Sequence, residues 1–259
     1  MNFNTLFLRS FRVLLLPFAL VYGLVVWLRN LMYDRGILKS TDFNLPLVSV
    51  GNLSVGGTGK SPMVEYLLGL LHERYKVGTL SRGYKRRTKG YVLAGYNTTA
   101  LEIGDEPMQF HLKFPDVAVA VGEERIVAVP QLLFDRPETQ VILLDDAFQH
   151  RAIRPGLQIL LTDANNPYCD DFFLPTGDLR DQPSSARRAD MVVVTKCKPE
   201  MDEKERTSMA ARLSVRKDQP LFFTSITYGR PYHIIHRKPG LISKGTEVLL
   251  VCGIANPAP

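Results

Sequence analysis

Residues 54–61 read Ser54-Val55-Gly56-Gly57-Thr58-Gly59-Lys60-Ser61, and they lie between a short apolar run and a helical pattern. The backbone N–H groups of a glycine-rich loop and of the helix that follows it converge on phosphate oxygens. Lys60 would reach the β- and γ-phosphates, and the Ser61 hydroxyl would ligate Mg²⁺. The pattern predicts nucleotide binding, although Ser54 stands where the usual GxxxxGK[ST] loop has glycine.

On both sides of this loop, short apolar runs alternate with helical stretches. The alternation predicts an α/β fold of the P-loop NTPase kind, a mostly parallel sheet flanked by helices. The predicted strands are 47–50, 76–80, 117–121, 141–144, 157–161, 191–194, 221–226 and 248–252. The predicted helices are 62–74, 106–113, 124–134 and 204–214.

The predicted strand 141–144 is followed by two carboxylates, Asp145 and Asp146. In phosphate-loop proteins such a strand lies beside the loop, and its aspartate holds Mg²⁺ directly or through water. Adjacent strand residues point to opposite sides, so both serve the metal only if the strand turns at its end. One magnesium-binding and one loop-capping aspartate is the alternative. His150 either approaches the γ-phosphate or hydrogen-bonds a backbone carbonyl.

The N-terminal segment 13–28 contains no charge and is flanked by arginines. A transmembrane helix needs about 20 apolar residues, so this run is slightly short. We expect a membrane-associated helix that dips into the bilayer from the cytoplasmic face, with its arginines at the anionic lipid surface. A helix buried in the protein core is the alternative. A signal peptide is disfavoured because no small-residue cleavage site follows.

Composition adds broad limits. The chain has 259 residues, of which 45% are apolar and 22% charged, as expected for one large folded domain or one domain plus part of a second. A net charge of +6 favours an anionic partner: nucleic acid, acidic lipid or a phosphorylated substrate. Nucleic acid is disfavoured because the basic segment has few interleaved aromatic residues. Three dispersed cysteines indicate reduced, structural thiols.

Several segments together resemble the tetraacyldisaccharide 4'-kinase family, the lipid A 4'-kinases. The most specific are Asp145-Asp146-Ala147-Phe148-Gln149-His150 and the stretch that contains the serine loop, Gly51-Asn52-Leu53-Ser54-Val55-Gly56-Gly57-Thr58-Gly59-Lys60-Ser61-Pro62. Ser54 is the family's own form of that loop. The other matching stretches are Leu80-Ser81-Arg82-Gly83-Tyr84, Gly104-Asp105-Glu106-Pro107, Leu174-Pro175-Thr176-Gly177-Asp178-Leu179-Arg180 and Gly253-Ile254-Ala255-Asn256-Pro257.

The resemblance implies a phosphotransferase that moves the γ-phosphoryl group of ATP to the 4'-hydroxyl of a tetraacyldisaccharide 1-phosphate, with Mg²⁺ as cofactor. It implies that Asp105 is the general base, and that Arg125 and Arg180 lie by the phosphates. From the residues alone, Asp105 after Gly104 is more typical of a helix N-cap. The partners it implies are the lipid A disaccharide precursor and inner membrane lipids, at the cytoplasmic face of the bacterial inner membrane. No obligate protein partner is indicated.

A basic cluster lies beside Tyr84 and comprises Arg82, Lys85, Arg86, Arg87 and Lys89. About half of it is expected to be a solvated face. The alternative is contact with the 1-phosphate of the substrate or with anionic headgroups.

The predicted organisation is an N-terminal membrane-associated helix at 1–40, a kinase core at 41–246 and the start of a C-terminal domain at 247–259. Members of the resembled family continue beyond the Gly253–Pro257 turn with a domain carrying an Asp-His-His run. The chain is therefore expected to lack a natural C-terminal portion, including a histidine thought to partner the base.

Two rival functions remain open. One is a catalytically incomplete, membrane-associated nucleotide-binding fragment. The other is a nucleotide-driven switch or chaperone of the GTPase type. Guanine-specific proteins usually carry N/T-K-x-D after a strand, and here Lys198 stands where that aspartate would be. This disfavours GTP.

Overall fold

The structure is a computed structural model, and it describes residues 12–227, 229–231, 236, 238–240, 243 and 245–249. Its helices, apart from three short 3₁₀ segments, are α1 (Leu16–Asp34), α2 (Lys60–Leu71), α3 (Ala100–Ile103), α4 (Asp105–Lys113), α5 (Arg125–Asp135) and α6 (Glu203–Leu213). Its strands are β1 (Leu47–Asn52), β2 (Val77–Ser81), β3 (Val92–Leu93), β4 (Ala118–Val121), β5 (Val141–Asp145), β6 (Leu157–Asp163), β7 (Met191–Thr195) and β8 (Leu221–Phe223).

One sheet joins all eight strands in the order β3-β4-β2-β5-β1-β6-β7-β8. Every neighbouring pair is parallel except β3 with β4, which is antiparallel. The predicted α/β class is thereby confirmed. Strand β1 lies between β5 and β6, and Val50 pairs with Asp145. Because parallel strands end at the same edge, the phosphate loop after β1 and the carboxylates after β5 share that edge.

Both faces of the sheet are buried, which explains the nearly continuous apolar strands. Along β5, Leu143 packs with the cluster that includes α2 and α4, whereas Ile142 and Leu144 pack with α5 on the other face. Successive strand residues point to opposite faces, so a strand covered on both sides must be apolar throughout. A third cluster joins Leu160 of β6 to Met209 of α6.

The structure departs from the sequence prediction mainly at the edges. Strand β3 and helix α3 were not predicted, because two residues and one helical turn are too short to show periodicity. The predicted strand 221–226 ends at Phe223. The predicted strand 248–252 is wrong at Val248 and Leu249, which are not in a strand, and its other residues lie outside the described part, as does the Gly253–Pro257 turn.

Helix α1 lies on the surface rather than inside the core, so the buried-helix alternative is wrong. Only Ala19, Gly23 and Asn30 are buried along it, and Phe18, Leu20 and Leu24 are each more than 60% exposed. With the short turn before it, the segment Val13–Asp34 is long and apolar enough to cross a membrane by length and composition alone. Phe173 packs against the bare Gly23 backbone and edge-on to Tyr22.

Candidate functional site: a phosphate loop facing paired aspartates

The glycine-rich loop leaves β1 and enters α2 at Lys60. Gly59 adopts a left-handed conformation, with φ of 84°, which glycine reaches without steric cost. The loop is held from two sides. The Thr195 hydroxyl donates to the Thr58 carbonyl at 2.9 Å, and the Val55 N–H donates to the Asp178 carbonyl at 2.7 Å. The rest of the chain therefore holds the loop backbone in a defined shape.

Four side chains meet where this loop faces the end of β5. The Arg180 guanidinium donates twice to Asp146, at 2.7 and 3.1 Å, and once to Asn52 Oδ1 at 2.6 Å. The ammonium of Lys60 lies 3.2 Å from the same Asn52 oxygen and 3.7 Å from Asp146 Oδ1. The structure thus brings Lys60, Arg180 and Asp146 together, as expected for one anion-binding site. It adds Asn52, which lies in a family-matching stretch but was given no role from the sequence.

The two aspartates differ in environment. Strand β5 ends at Asp145, and Asp146 has a φ of 49°, so the chain turns where two metal-facing carboxylates would require it. Burial, reinforced by the charges of Glu106 and Asp146, raises the pKa of Asp145 to about 7. Burial also opposes ionisation of Asp146, but hydrogen bonds from Arg180 and the charge of Lys60 outweigh it and lower its pKa.

Glu106 is a further acidic residue at the site. The Ser61 hydroxyl donates to Glu106 Oε1 at 2.9 Å, from the second residue of α2 to the second residue of α4. Glu106 belongs to the Gly104-Asp105-Glu106-Pro107 motif but was given no role from the sequence. Its only sequence clue was its place next to Asp105, because the contact joins segments 45 residues apart.

These oxygen atoms suit a hard divalent cation. Asp145 Oδ1 is buried and has no hydrogen-bond partner among the described residues, although it lies in a region rich in cations and carboxylates. The described part of the chain holds no group of three His, Cys, Asp or Glu residues arranged to bind a metal unaided. Magnesium in nucleotide sites is typically held by one or two carboxylates together with phosphates and water. The donor set therefore fits Mg²⁺ that arrives with a nucleotide.

Asp105 is exposed and is the first residue of α4. Gly104, with a φ of 94°, takes the N-cap position, so the N-cap interpretation of Asp105 is wrong. Within the described residues the Asp105 carboxylate has no hydrogen bond or ion pair. A Cβ on Gly104 would lie 3.0 Å from the Tyr84 carbonyl, so this close approach ties the start of α4 to the Arg82–Tyr84 segment.

Arg125 and His150 are both engaged within the protein. Arg125 is 3% exposed, and its terminal nitrogens donate to the carbonyls of Gly122, Glu123 and Asp145. Burial lowers its pKa to about 10, partly offset by the charges of Asp145 and Asp146. His150 Nε2 accepts the Arg125 backbone N–H at 3.3 Å, and burial followed by the Arg125 charge lowers the pKa of His150. His150 Nε2 thus bonds a backbone N–H, rather than the ring bonding a backbone carbonyl as one of the two alternatives had it.

The basic cluster divides into two kinds of residue. The side chain of Arg86 is only 2% exposed and forms an ion pair with Glu123 at 2.6 Å. Arg82, Lys85, Arg87 and Lys89 are exposed. Arg86 thus helps to hold the segment 82–89 against the protein, and the other four residues form a positively charged surface next to Tyr84.

The loop geometry and the strand-end carboxylates define a phosphate-loop nucleotide-binding protein of the α/β class. Within that class, residues 11–259 match the family described as Tetraacyldisaccharide-1-P 4'-kinase, and the chain belongs to that family of phosphotransferases.

Relatives and a solved structure support this membership. The chain is 50% identical over 252 residues to the tetraacyldisaccharide 4'-kinase of Flavobacterium johnsoniae, covering 96% of this chain and 73% of that protein. It is 46% identical to the Bacteroides thetaiotaomicron enzyme of the same name, covering 95% and 68%. The crystal structure of "apo" form LpxK from Aquifex aeolicus in complex with ATP superposes with a TM-score of 0.71 at 36% identity, covering 82% of this chain and 64% of that one.

Proposed function

We propose that the chain is an ATP-dependent kinase that phosphorylates the 4'-hydroxyl of a tetraacyldisaccharide 1-phosphate, the lipid A precursor. The observation that carries the proposal is the convergence of Lys60 and Arg180 on Asp146, at the edge where the glycine-rich loop leaves β1. Lys60 and Arg180 can exchange their contacts with Asp146 for contacts with an incoming nucleotide, because its phosphates are stronger anionic partners than a carboxylate. Family membership and the ATP complex of the Aquifex aeolicus relative support ATP as that nucleotide.

The loop residues Ser54, Val55, Gly56, Gly57, Thr58 and Gly59 would bind phosphate oxygens through backbone N–H groups, with Lys60 at the β- and γ-phosphates. Arg180 would bind two oxygens at once through its planar fork. Arg125 would act indirectly, by positioning Asp145, because one of its terminal nitrogens donates to the Asp145 carbonyl. Phosphoryl transfer depends mainly on such positioning and charge neutralisation.

Ser61, Asp145 and Asp146 would hold Mg²⁺, and Glu106 joins them through its hydrogen bond to Ser61. When bound, the ion neutralises charge that develops on the β- and γ-phosphates. The chain's own part is to orient these oxygens and to keep Asp146 ionised. Lys60 and Arg180 favour the ionised form of Asp146, and the rigid end of β5 fixes the direction of both aspartates.

Asp105 would accept the proton of the sugar hydroxyl. The 4'-oxygen then forms a bond to the γ-phosphorus, the bond from phosphorus to the β,γ-bridging oxygen breaks, and ADP leaves with that oxygen. An exposed carboxylate that has no partner among the described residues suits this role, because none of their hydrogen bonds has to break first. Its position next to Glu106 supports the assignment, since Glu106 reaches Ser61 at the opposite helix.

The lipid substrate fits the surface around the site. Helix α1 exposes Phe18, Leu24 and Trp27, and apolar side chains of this kind with flanking arginines are typical of helices at a bilayer surface. The exposed residues of the basic cluster would meet the 1-phosphate or anionic headgroups. We place the protein at the cytoplasmic face of the inner membrane, acting without nucleic acid or an obligate protein partner. Residues 1–40 would anchor it, 41–246 would form the catalytic core, and 247–259 would begin a further domain.

The test is transfer of labelled γ-phosphate from ATP with Mg²⁺ to the disaccharide 1-phosphate in detergent micelles. The expected product is a lipid labelled at the 4'-position, and Lys60→Ala should abolish it. ATP hydrolysis without labelled lipid would contradict the kinase and favour the nucleotide-driven switch. ATP binding with neither reaction would favour the inactive nucleotide-binding fragment.

A further inference from the structure

We propose that α1 positions the phosphate-binding arginine, through Tyr22, Arg29 and Asn30, in addition to presenting an apolar surface. The inference rests on the proposed function in one respect: it treats Arg180 as a phosphate ligand. The hydrogen bonds that carry it join the helix to both sides of the Lys60–Arg180–Asp146 cluster. They form three separate links.

The first link acts on the backbone of Arg180. The Tyr22 hydroxyl donates to the Arg180 carbonyl at 3.0 Å, and the Arg180 N–H donates to the Leu53 carbonyl at 2.7 Å. The residue is thus held between α1 on one side and the start of the phosphate loop on the other. The ring of Tyr22 packs edge-on to Phe173, with centroids 6.1 Å apart, which fixes the direction of its hydroxyl.

The second link acts on the next residue, Asp181. Asn30 Nδ2 donates to Asp181 Oδ1 at 2.7 Å, and both residues are only 1% exposed. Asp181 also accepts from Ser185 at 2.9 Å and from Arg188 at 3.0 Å. A buried carboxylate that loses one donor is costly, because the low-dielectric interior offers no water in exchange. The side chain of Asn30 therefore determines where the Arg180–Asp181 segment can lie.

The third link reaches the cluster from its other side. Arg29 Nη2 donates to the Gln149 carbonyl at 3.0 Å, and Gln149 Nε2 donates to the Asn52 carbonyl at 2.6 Å. The side-chain oxygen of that same Asn52 accepts from Lys60 and Arg180. A shift of α1 would therefore move Asn52, the acceptor that both phosphate-binding cations share.

Apolar packing alone does not require this arrangement. Phe173 against Gly23 already holds α1 to the protein, and a buried polar contact gives orientation more than net stability. Orientation is what a phosphate-binding guanidinium needs, since an error of about 1 Å can cost a hundredfold in rate. We therefore assign the polar contacts of α1 to positioning Arg180.

The matched experiment compares Tyr22→Phe with Tyr33→Phe in the full chain, with Asn30→Ala as a second variant. Both tyrosine changes remove one hydroxyl from α1. Tyr33 lies under the guanidinium groups of Arg29 and Arg151, and its hydroxyl makes no hydrogen bond within the described structure. Tyr22→Phe keeps the ring packed on Phe173 and loses only the bond to Arg180.

Tyr22→Phe should lower kcat about fivefold at saturating ATP with little change in the KM for ATP, the effect of one lost hydrogen bond, and Asn30→Ala should lower it further. Hydrogen exchange should become faster in residues 178–188 in both variants but not in Tyr33→Phe, with β4 as an unchanged internal reference.

Unchanged exchange in residues 178–188 would overturn the inference, whatever the rates. If the wild-type chain transfers no phosphate, the proposed function fails, but hydrogen exchange still decides whether α1 holds this segment. If Asn30→Ala does not fold, Tyr22→Phe, which removes one oxygen atom and no packing surface, still provides the comparison.

Discussion

The two sides of the phosphate site are built differently. On the side formed by β1 and β5, which we call the closed side, Lys60 and Arg180 form ion pairs with Asp146 at distances of up to 3.7 Å. Helix α1 binds the Arg180 backbone there through the Tyr22 hydroxyl. On the α4 side, the open side, Lys85 contacts only the Tyr84 ring. The exposed side chains of Asp105, Arg82, Arg87 and Lys89 make no hydrogen bond or ion pair within the described residues. Fixed, paired charges suit the nucleotide, because charge that develops on its phosphates must be stabilised in the transition state. Side chains without such ion pairs suit the lipid, which must enter and leave the site. We infer that nucleotide binds the closed side and lipid the open side.

The largest effect is expected on the closed side. Lys60→Ala should reduce phosphate transfer about a thousandfold and weaken ATP binding, because it removes the cation nearest the β- and γ-phosphates. Transfer assays and equilibrium binding of ATP measure the two effects. Lys204→Ala, on the exposed surface of α6, is the matched control for loss of one positive charge. Normal ATP affinity in Lys60→Ala would remove the loop from the nucleotide site.

A smaller and more selective effect is expected on the open side. Asp105→Asn should lower transfer about a hundredfold while ATP affinity stays unchanged, because a neutral amide cannot take the hydroxyl proton. Asp116→Asn, another exposed aspartate, controls for the loss of one negative charge. An equal loss of ATP affinity in Asp105→Asn would show that the two sides are not separate, and full activity would exclude Asp105 as the base.

The stability of the two aspartates at the end of β5, Asp145 and Asp146, should depend on pH in opposite directions. The pKa of Asp145 is raised from 3.8 to about 7, so its contribution to stability is present below pH 4 and lost as pH rises through 7. In magnesium-free and nucleotide-free protein, Asp145→Asn should therefore raise the unfolding free energy by about 2 kcal/mol more at pH 8 than at pH 5. Denaturant titrations at both pH values measure this difference.

Asp146→Asn should show no such gain. Its pKa is lowered, so the ionised form contributes stability above the ordinary carboxyl range, and that stability is lost as pH falls. Equal responses of Asp145→Asn and Asp146→Asn would contradict the difference between the two environments.

The smallest effect separates residues within the basic cluster. Arg86→Met should lower the unfolding free energy by about 1–2 kcal/mol, because it removes a buried guanidinium that pairs with the more exposed Glu123. Arg87→Met should change it by less than about 0.5 kcal/mol, as is usual for an exposed residue. Thermal or denaturant unfolding distinguishes the two. Equal losses of unfolding free energy in the two variants would contradict the division of the cluster into one buried and four exposed residues.

The sequence predicted well what local patterns encode. Apolar strands buried on both faces have a distinct composition, and seven of the eight observed strands lie within or beside predicted ones. The loop at 54–61 and the aspartates after β5 were correctly placed at one edge, because parallel strands end together. Short elements such as β3 were missed, since two residues carry no periodicity.

Contacts between distant segments could not be predicted in the same way. Glu106 meets Ser61 across 45 residues, and Asn30 meets Asp181 across 151. No local pattern encodes such pairs. An asparagine near the end of an apolar helix reads only as a weak break in hydrophobicity, although its side chain is buried against a carboxylate. The exposed apolar residues of α1 were visible in the sequence, and its polar contacts with the core were not.

The bare backbone of Gly23 has one more consequence. A Cβ at this position would lie 2.8 Å from the Phe173 ring, so the ring occupies the space that a side chain at position 23 would need. Helix α1 therefore cannot roll about its own axis without driving Phe173 out. If lipid takes up its exposed side, any tilt of the helix in the bilayer becomes the same tilt of the sheet, and the mouth of the active site keeps a constant angle to the helix axis.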